Sequence, residues 1–598
     1  MASLVAPAGL ETERRPRRAL PYPAAVSLAI LAGAVLLLLF TQADIRNLGF
    51  GDPDDLMRMQ EVRDWLGGQS WFDVTQYRIA PPTGLSMHWS RLLDVPLAAV
   101  ILLVRPFAGQ AQAELAASVI VPLATFATIA ALIAAIARRT LGIDKWAVVA
   151  ALCAVANVGM ISVARPMRID HHGWQAACAL AMALALIGDR TLRRAAVAGL
   201  FAALWMHISL EGIVFTAGCS VWLGLRWILG QERCPFALPA FLGAAAAASL
   251  GFFLVGHGGA LFDRTFCDAI SPVHMVVFAL AAAGSAMAVR FAPDHIVARG
   301  LALGGAALVA AMTYKLWAPQ CGGGAFSALT PLTYRLWYLT VAEGLPLWTQ
   351  PAMLAFGWLA FPLIGVAGTI YAIRTAPPGH RPVLIDYAAL LVIAILIGCV
   401  LMRASALANL LAVPGALAGF APLWQRIKAI PHALLRVPAS ALAILFVIPA
   451  TPAFLALAAT PEAKSAPGPQ HAQCTSAANM RHFDALPAAV LMTTLDSSQM
   501  LIYATHQSAV GSGYHRNVAA MEDVIRFYTA DDATAHAIMK RHGSGYAFVC
   551  PGDGDARKYS EAAPQGLAAR LEAGTPPNWL RPVTIPGLRY AKVYRLVD

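Results

Sequence analysis

Charged side chains are scarce in this chain. Only 13% of its 598 residues are Asp, Glu, Lys or Arg, against 58% apolar, and its mean hydropathy is +0.61. That balance excludes a soluble multidomain protein, because too few polar side chains remain to cover several separate cores. Clustered cysteine is missing as well: the nine cysteines are scattered, with no CxxC and no Cys/His spacing, which excludes a zinc site of the usual kind. No internal repeat is visible, which argues against a transporter built from two related halves. The net charge of +11 is not the footprint of a nucleic-acid binder. Lys and Arg collect instead in short loops between apolar runs, as they do on the cytoplasmic side of membrane proteins.

About thirteen apolar runs are long enough to cross roughly 30 Å of hydrocarbon. The fold class expected is therefore a mainly α, polytopic membrane protein. The basic loops 138–145, 189–194, 226–233, 290–299, 374–381 and 424–436 are assigned to the cytoplasm. This places the N-terminus inside and the C-terminal region outside, in a cytoplasmic (inner) membrane. The first twenty residues are basic (Arg14, Arg15, Arg17, Arg18) and precede an apolar run from Ala24 to Phe40. Thr41-Gln42-Ala43-Asp44 is a poor cleavage site, so this run reads as an uncleaved anchor. Residues 1–458 form the membrane domain. Beyond them, 459–598 read as a small soluble extracytoplasmic α/β domain, in which strand-like runs (489–492, 546–549) alternate with helical ones (521–528, 533–540). Cys153, Cys178, Cys219 and Cys399 lie in apolar runs and read as core residues. Cys267 with Cys321, and Cys474 with Cys550, lie in segments assigned to the outside, where disulfides form.

The acids that do occur are concentrated near the ends of apolar runs. Gly51-Asp52-Pro53-Asp54-Asp55-Leu56-Met57-Arg58 follows the first span, at the start of an external loop covering 42–112; such charges beside lipid are costly unless they meet water, a cation or a charged ligand. The same residues also suit a helix N-terminus, with Asp52 as cap and Pro53 at the first helical position. Within that loop the apolar piece from Val95 to Val104 is too short to span and is expected to lie in the interface. A second, short loop reads Ala164-Arg165-Pro166-Met167-Arg168-Ile169-Asp170-His171-His172-Gly173, and a third, 317–350, carries Thr340-Val341-Ala342-Glu343-Gly344-Leu345-Pro346. All three fall on one membrane face. Asp52, Asp170, His172 and Glu343 together form a hard oxygen set with one imidazole, suited to Mn2+ or Mg2+ bound jointly with phosphate. Arg165, Arg168 and Arg403 offer planar forks for phosphate oxygens. His207 and Glu211 stand at i and i+4, placed either to line a donor pocket or to pair with each other.

These motifs resemble a known family. Asp52-Pro53 followed by Arg58 looks like the D-P-x-x-x-x-R opening of the first external loop in the catalytic subunit of oligosaccharyltransferases, membrane glycosyltransferases of the GT-C fold. Ile161-Ser162-Val163-Ala164-Arg165 through Asp170-His171-His172 is similar to that family's second motif, which often ends D-H-H in archaea. Thr340-Val341-Ala342-Glu343-Gly344-Leu345-Pro346 resembles its S-V-S-E-x-x-P motif. The resemblance implies a GT-C enzyme in which Asp52, Asp170 and His172 ligate a divalent cation. Glu343 reaches into the same site toward the acceptor, and Arg403 meets the donor phosphates. The implied reaction is inverting attack by an acceptor on the anomeric carbon of a polyprenyl-(di)phosphate sugar. For a hydroxyl acceptor, Asp54 or Asp55 is the natural base.

The family's W-W-D-Y-G motif, which reads the N-glycosylation sequon, is absent. The corresponding region is Thr494-Leu495-Asp496-Ser497-Ser498, followed by His506 and by Tyr514-His515-Arg516-Asn517. The acceptor is left open between glycan, lipid and protein. Alternatives are a single-sugar transferase acting on envelope lipid or polysaccharide, and a multi-span transporter. The partners expected are a polyprenyl-linked donor, the acceptor and membrane lipids, with no nucleic acid.

Overall fold

A computed structural model describes residues 20–460 and 473–597. The basic N-terminal segment and most of the link between the two expected domains lie outside the described residues. A helical bundle runs from Tyr22–Phe40 to Thr451–Ala459 and is followed by a mixed sheet with flanking helices.

Among the described residues, eight helices are long and apolar enough to cross a membrane, or nine if Ala433–Val447 and Thr451–Ala459, bent by 91°, form one span. The expected count of about thirteen is reached only if His172–Leu186, Leu192–Ile208, Gly212–Ile228 and the broken pair Asp144–Val155 and Val158–Val163 cross too. Small residues set the closest crossings. A Cβ on Gly368 would lie 2.0 Å from the carbonyl oxygen of Gly415, so Ala352–Thr375 and Ser405–Lys428 pack backbone to backbone. At the end of the bundle away from the acids, Asp386 accepts from Arg190, Arg226, Trp222 and the backbone of Gly188, with Glu232 completing the buried network.

The loop after the first span is built on the helix Pro53–Leu66. Asp52 caps it, its side chain accepting from the N–H of Asp54 at 2.9 Å, with Pro53 in the first turn. The apolar piece of this loop forms Asp94–Ala108, which buries Leu97, Ala98 and Ile101 and exposes Leu103 (71%) and Phe107 (87%), the face expected of an interfacial helix. Arg58 anchors the two helices to each other: it donates to Asp94 at 2.9 Å and to Glu61 at 3.2 Å, and its guanidinium lies over Trp89 at 4.7 Å.

The C-terminal sheet has the order β4-β3-β5-β7-β6. Strands β3 (Val490–Met492), β4 (Ser508–Ala509) and β5 (Ser544–Val549) are parallel, while β7 (Lys592–Leu596) runs antiparallel to both β5 and β6 (Leu580–Val583). The first loop contributes a separate hairpin, β1 (Thr75–Gln76) with β2 (Leu85–Ser86). Helices Val518–Thr529 and Asp532–Arg541 correspond to the helical runs read from the sequence. Both expected disulfides, Cys267–Cys321 and Cys474–Cys550, are present. The sheet domain is seated on the first loop: Arg78 donates to the carbonyls of Ile502 and Thr505, and Arg63 to that of Tyr503.

Candidate active site

Arg168 is the hub on which two of the acidic loops meet. Its guanidinium lies 3.0 Å from Asp52, 3.3 Å from Asp55 and 2.5 Å from Asp170. Three carboxylates hold its proton firmly, above the ordinary arginine value despite burial. Asp55 is fully buried and accepts from the backbone N–H groups of Ile169 (2.7 Å) and Asp170 (3.0 Å). Its oxygens are committed to fixing the second loop. Asp170 accepts from the N–H of His172 at 3.0 Å, at the start of His172–Leu186.

Asp54 faces the other way. The hydroxyl of Tyr514, reaching in from the C-terminal domain, donates to its carboxylate at 3.0 Å. Burial, then the fields of Asp52, Asp170 and Glu343, push its proton affinity up to about 7, while His172 pulls it down. Side-chain atoms of Asp54, His171 and His172 that can ligate a metal all lie within 4.8 Å of one another. The Nδ1 of His171 is buried with no hydrogen-bond partner.

Asp52 and Asp170 neutralise Arg168, Asp170 also accepts from the backbone of His172, and Asp54 and His171 stand beside His172, with the charges of Asp52, Asp170 and Glu343 all felt at Asp54. Glu343 pairs with Arg403 at 3.4 Å, and Arg403 also contacts Glu211. Arg165 lies at the rim on Asp44 at 2.7 Å, away from the three acids. His207 does not pair with Glu211. The helix ends at Ile208 and Ser209 is extended, which breaks the i,i+4 register, and His207 Nε2 meets the carbonyl of Ser249 at 2.9 Å.

A cavity of about 850 Å3 opens beside the acids. His172, Glu211 and Arg403 line one part, and apolar side chains such as Phe215, Leu396, Val400 and Leu407 line another. Asp268 and His515 lie on its wall, and the clasp they belong to was not foreseen: Asp268 accepts from Arg516 at 2.7 and 2.9 Å and from His515 at 2.9 Å. The Tyr-His-Arg-Asn run was its only trace in the sequence, with nothing to name a partner 247 positions away. Near the missing W-W-D-Y-G motif, Asp496 donates its N–H to Asp555 at 2.9 Å, and the charge of Asp555 with burial pushes the Asp496 carboxyl up to about 8.

No protein-family model matches the chain, and no curated protein does either. Solved structures do. The archaeal oligosaccharyltransferase AglB from Archaeoglobus fulgidus, in complex with an inhibitory peptide and a dolichol-phosphate, superposes with a TM-score of 0.68 over 91% of this chain and 72% of that one, at 14% identity. The chain has the oligosaccharyltransferase fold. Two other structures of the Archaeoglobus oligosaccharyltransferase agree. One is tethered to an acceptor peptide containing the NVT sequon (TM-score 0.65, 14% identity, 96% of this chain and 74% of that one). Another, with Zn and sulfate, gives 0.57 over 91% and 71%, again at 14% identity. The 4% to 9% of the chain left unaligned is smaller than either the bundle or the C-terminal domain, so the alignment takes in most of both.

Proposed function

We propose that the chain is a membrane glycosyltransferase that moves a sugar or oligosaccharide from a polyprenyl-(di)phosphate carrier to an extracytoplasmic acceptor, with inversion. One observation carries this reading: His172, Glu211 and Arg403, from separate segments, line a single cavity whose remaining walls carry apolar side chains such as Phe215, Leu396, Val400 and Leu407. A lipid-linked phosphate needs that combination, a charged end and a greasy flank. The complex of AglB with dolichol-phosphate supports the same donor class.

Roles follow from what each side chain is free to do. Asp55 has its oxygens engaged by two backbone amides and Arg168, so it is structural. Asp54 is the base: its carboxylate faces the site, oriented by Tyr514, where it can accept a proton from an acceptor hydroxyl. Arg403 holds donor phosphate, and Glu343 and Glu211 aim its guanidinium. Asp52, Asp170, His172 and Glu343, the set the family resemblance implies, would hold a divalent cation, beside the unpartnered Nδ1 of His171, which leaves Asp54 as the base. An imidazole among carboxylates suits Mn2+ or Mg2+. Such a cation would neutralise the departing phosphate. Asp52 and Asp170 set the loops through Arg168.

Orientation follows the basic loops, with the sheet domain outside and the membrane domain ending near residue 458. The absence of W-W-D-Y-G favours a glycan or lipid acceptor over a sequon. The test is to purify wild type and Asp54→Asn from the native host and quantify bound polyprenyl-linked sugars by mass spectrometry. The variant should retain donor that wild type consumes; equal occupancy would remove Asp54 from the chemistry.

A further inference from the structure

One wall of the cavity carries a hydrogen-bond donor that the protein itself leaves unused. His274 stands in the first turn of Pro272–Phe291 and is 2% exposed. Its Nδ1 lies 3.2 Å from the backbone N–H of Ser271 and 3.0 Å from the Ser271 hydroxyl. A backbone N–H can only donate, so Nδ1 is the acceptor. The neutral ring therefore carries its proton on Nε2. That N–H has no partner, yet His274 lines the cavity. A buried donor left unpaired is costly, so a ligand oxygen that meets it gains affinity and selectivity together.

Asp268 lines the cavity too: Arg516 and His515 fill three of the roughly four acceptor positions of its carboxylate and keep it ionised, leaving one for a ligand hydroxyl. The Cys267–Cys321 disulfide, next in sequence, pins its loop to the segment that carries Phe326. Tyr314 packs on the His274 ring at 5.4 Å between centroids. A donor N–H, an ionised carboxylate and aromatic faces in one rigid wall suit a polyhydroxylated ring, whose hydroxyls both give and take hydrogen bonds.

We infer that His274 and Asp268 form the subsite that reads the sugar of the lipid-linked donor, across the cavity from the phosphate contact at Arg403. This rests on the transferase reading above and names which part of the donor the second wall recognises.

The test uses the full-length protein in nanodiscs and two probes. One is the polyprenyl-phosphate sugar fraction extracted from host membranes, and the other is the same fraction after mild acid has removed the sugar. Wild type should bind the sugar-bearing fraction more tightly. His274→Glu keeps an acceptor for the Ser271 N–H, as a capping-box residue does, but has no donor. It should lose about tenfold in affinity for the sugar-bearing lipid and nothing for the stripped one. His274→Phe, which keeps an aromatic ring but removes both ring nitrogens, should do likewise. Should either folded variant keep the wild-type preference, or weaken both lipids equally, the subsite is wrong while the transferase reading stands. A shift confined to KM for the acceptor would also overturn it. Wild type that binds neither lipid overturns the subsite and the donor class together.

Discussion

At the scale of single residues, neighbouring carboxylates are set apart by what each is bonded to. Asp54→Asn keeps the volume and the contact with Tyr514 but removes the base, so turnover should fall by about 10²- to 10⁴-fold with the melting temperature unchanged. Asp55→Ala should do the reverse: Arg168 keeps Asp52 and Asp170, but the buried N–H groups of Ile169 and Asp170 lose their acceptor, costing about 1–3 kcal/mol each, seen as a lower melting temperature and poor yield. The sequence put Asp54 and Asp55 on equal terms, because it shows spacing and not which way a capped helix turns its first residues. Once Asp52 is the cap, consecutive positions lie about 100° apart around the axis. Only one of the pair can then face the second loop. Nor does spacing show that Arg168, read from the sequence as a fork for phosphate oxygens, also takes up the charge of Asp52 and Asp170 in the fold.

At the scale of elements, one disulfide braces the C-terminal domain internally and one clasp holds it against the loop of Asp268. Cys474–Cys550 closes a loop of 76 residues, and Cys474→Ser should destabilise that domain by about 2–4 kcal/mol, measured as earlier loss of its hydrogen-exchange protection while the bundle is unaffected. The Asp268 clasp has a pH signature. Burial opposes its charge, but His515 and Arg516 hold the carboxyl below its ordinary 3.8. A lowered folded value means the contribution is complete above 3.8 and is lost only as pH falls through that lower value. Proteolytic protection of the 264–271 loop should therefore be flat from pH 8 to pH 5 and collapse at neutral pH in Asp268→Asn. Two of the domain's strands, β3 and β5, and two of its helices were readable from period-2 and period-3.6 patterns, and both disulfides from which cysteines lie in segments assigned to the outside; β4, β6 and β7 were not. The clasp was not readable, since its partners are joined only by the folded chain. His207 and Glu211 failed as an i,i+4 pair because the helix stops between them.

At the scale of the whole molecule, scarce charge and long apolar runs made a polytopic bundle legible at once, while short and broken helices blurred the count. The bundle presents one end to the C-terminal domain, and the acids of three loops lie at that end beside a cavity with an apolar flank. The account depends on that placement being catalytic. The most direct measurement supplies wild type and Asp54→Asn, each reconstituted in liposomes with Mn2+, with the radiolabelled polyprenyl-phosphate sugar fraction and membranes from a host strain lacking the protein. The account predicts that wild type moves label from lipid to a host glycan or lipid and that the variant leaves it on the carrier. Equal transfer by both, or label carried across the bilayer by wild type with its bond to the lipid intact, would contradict it.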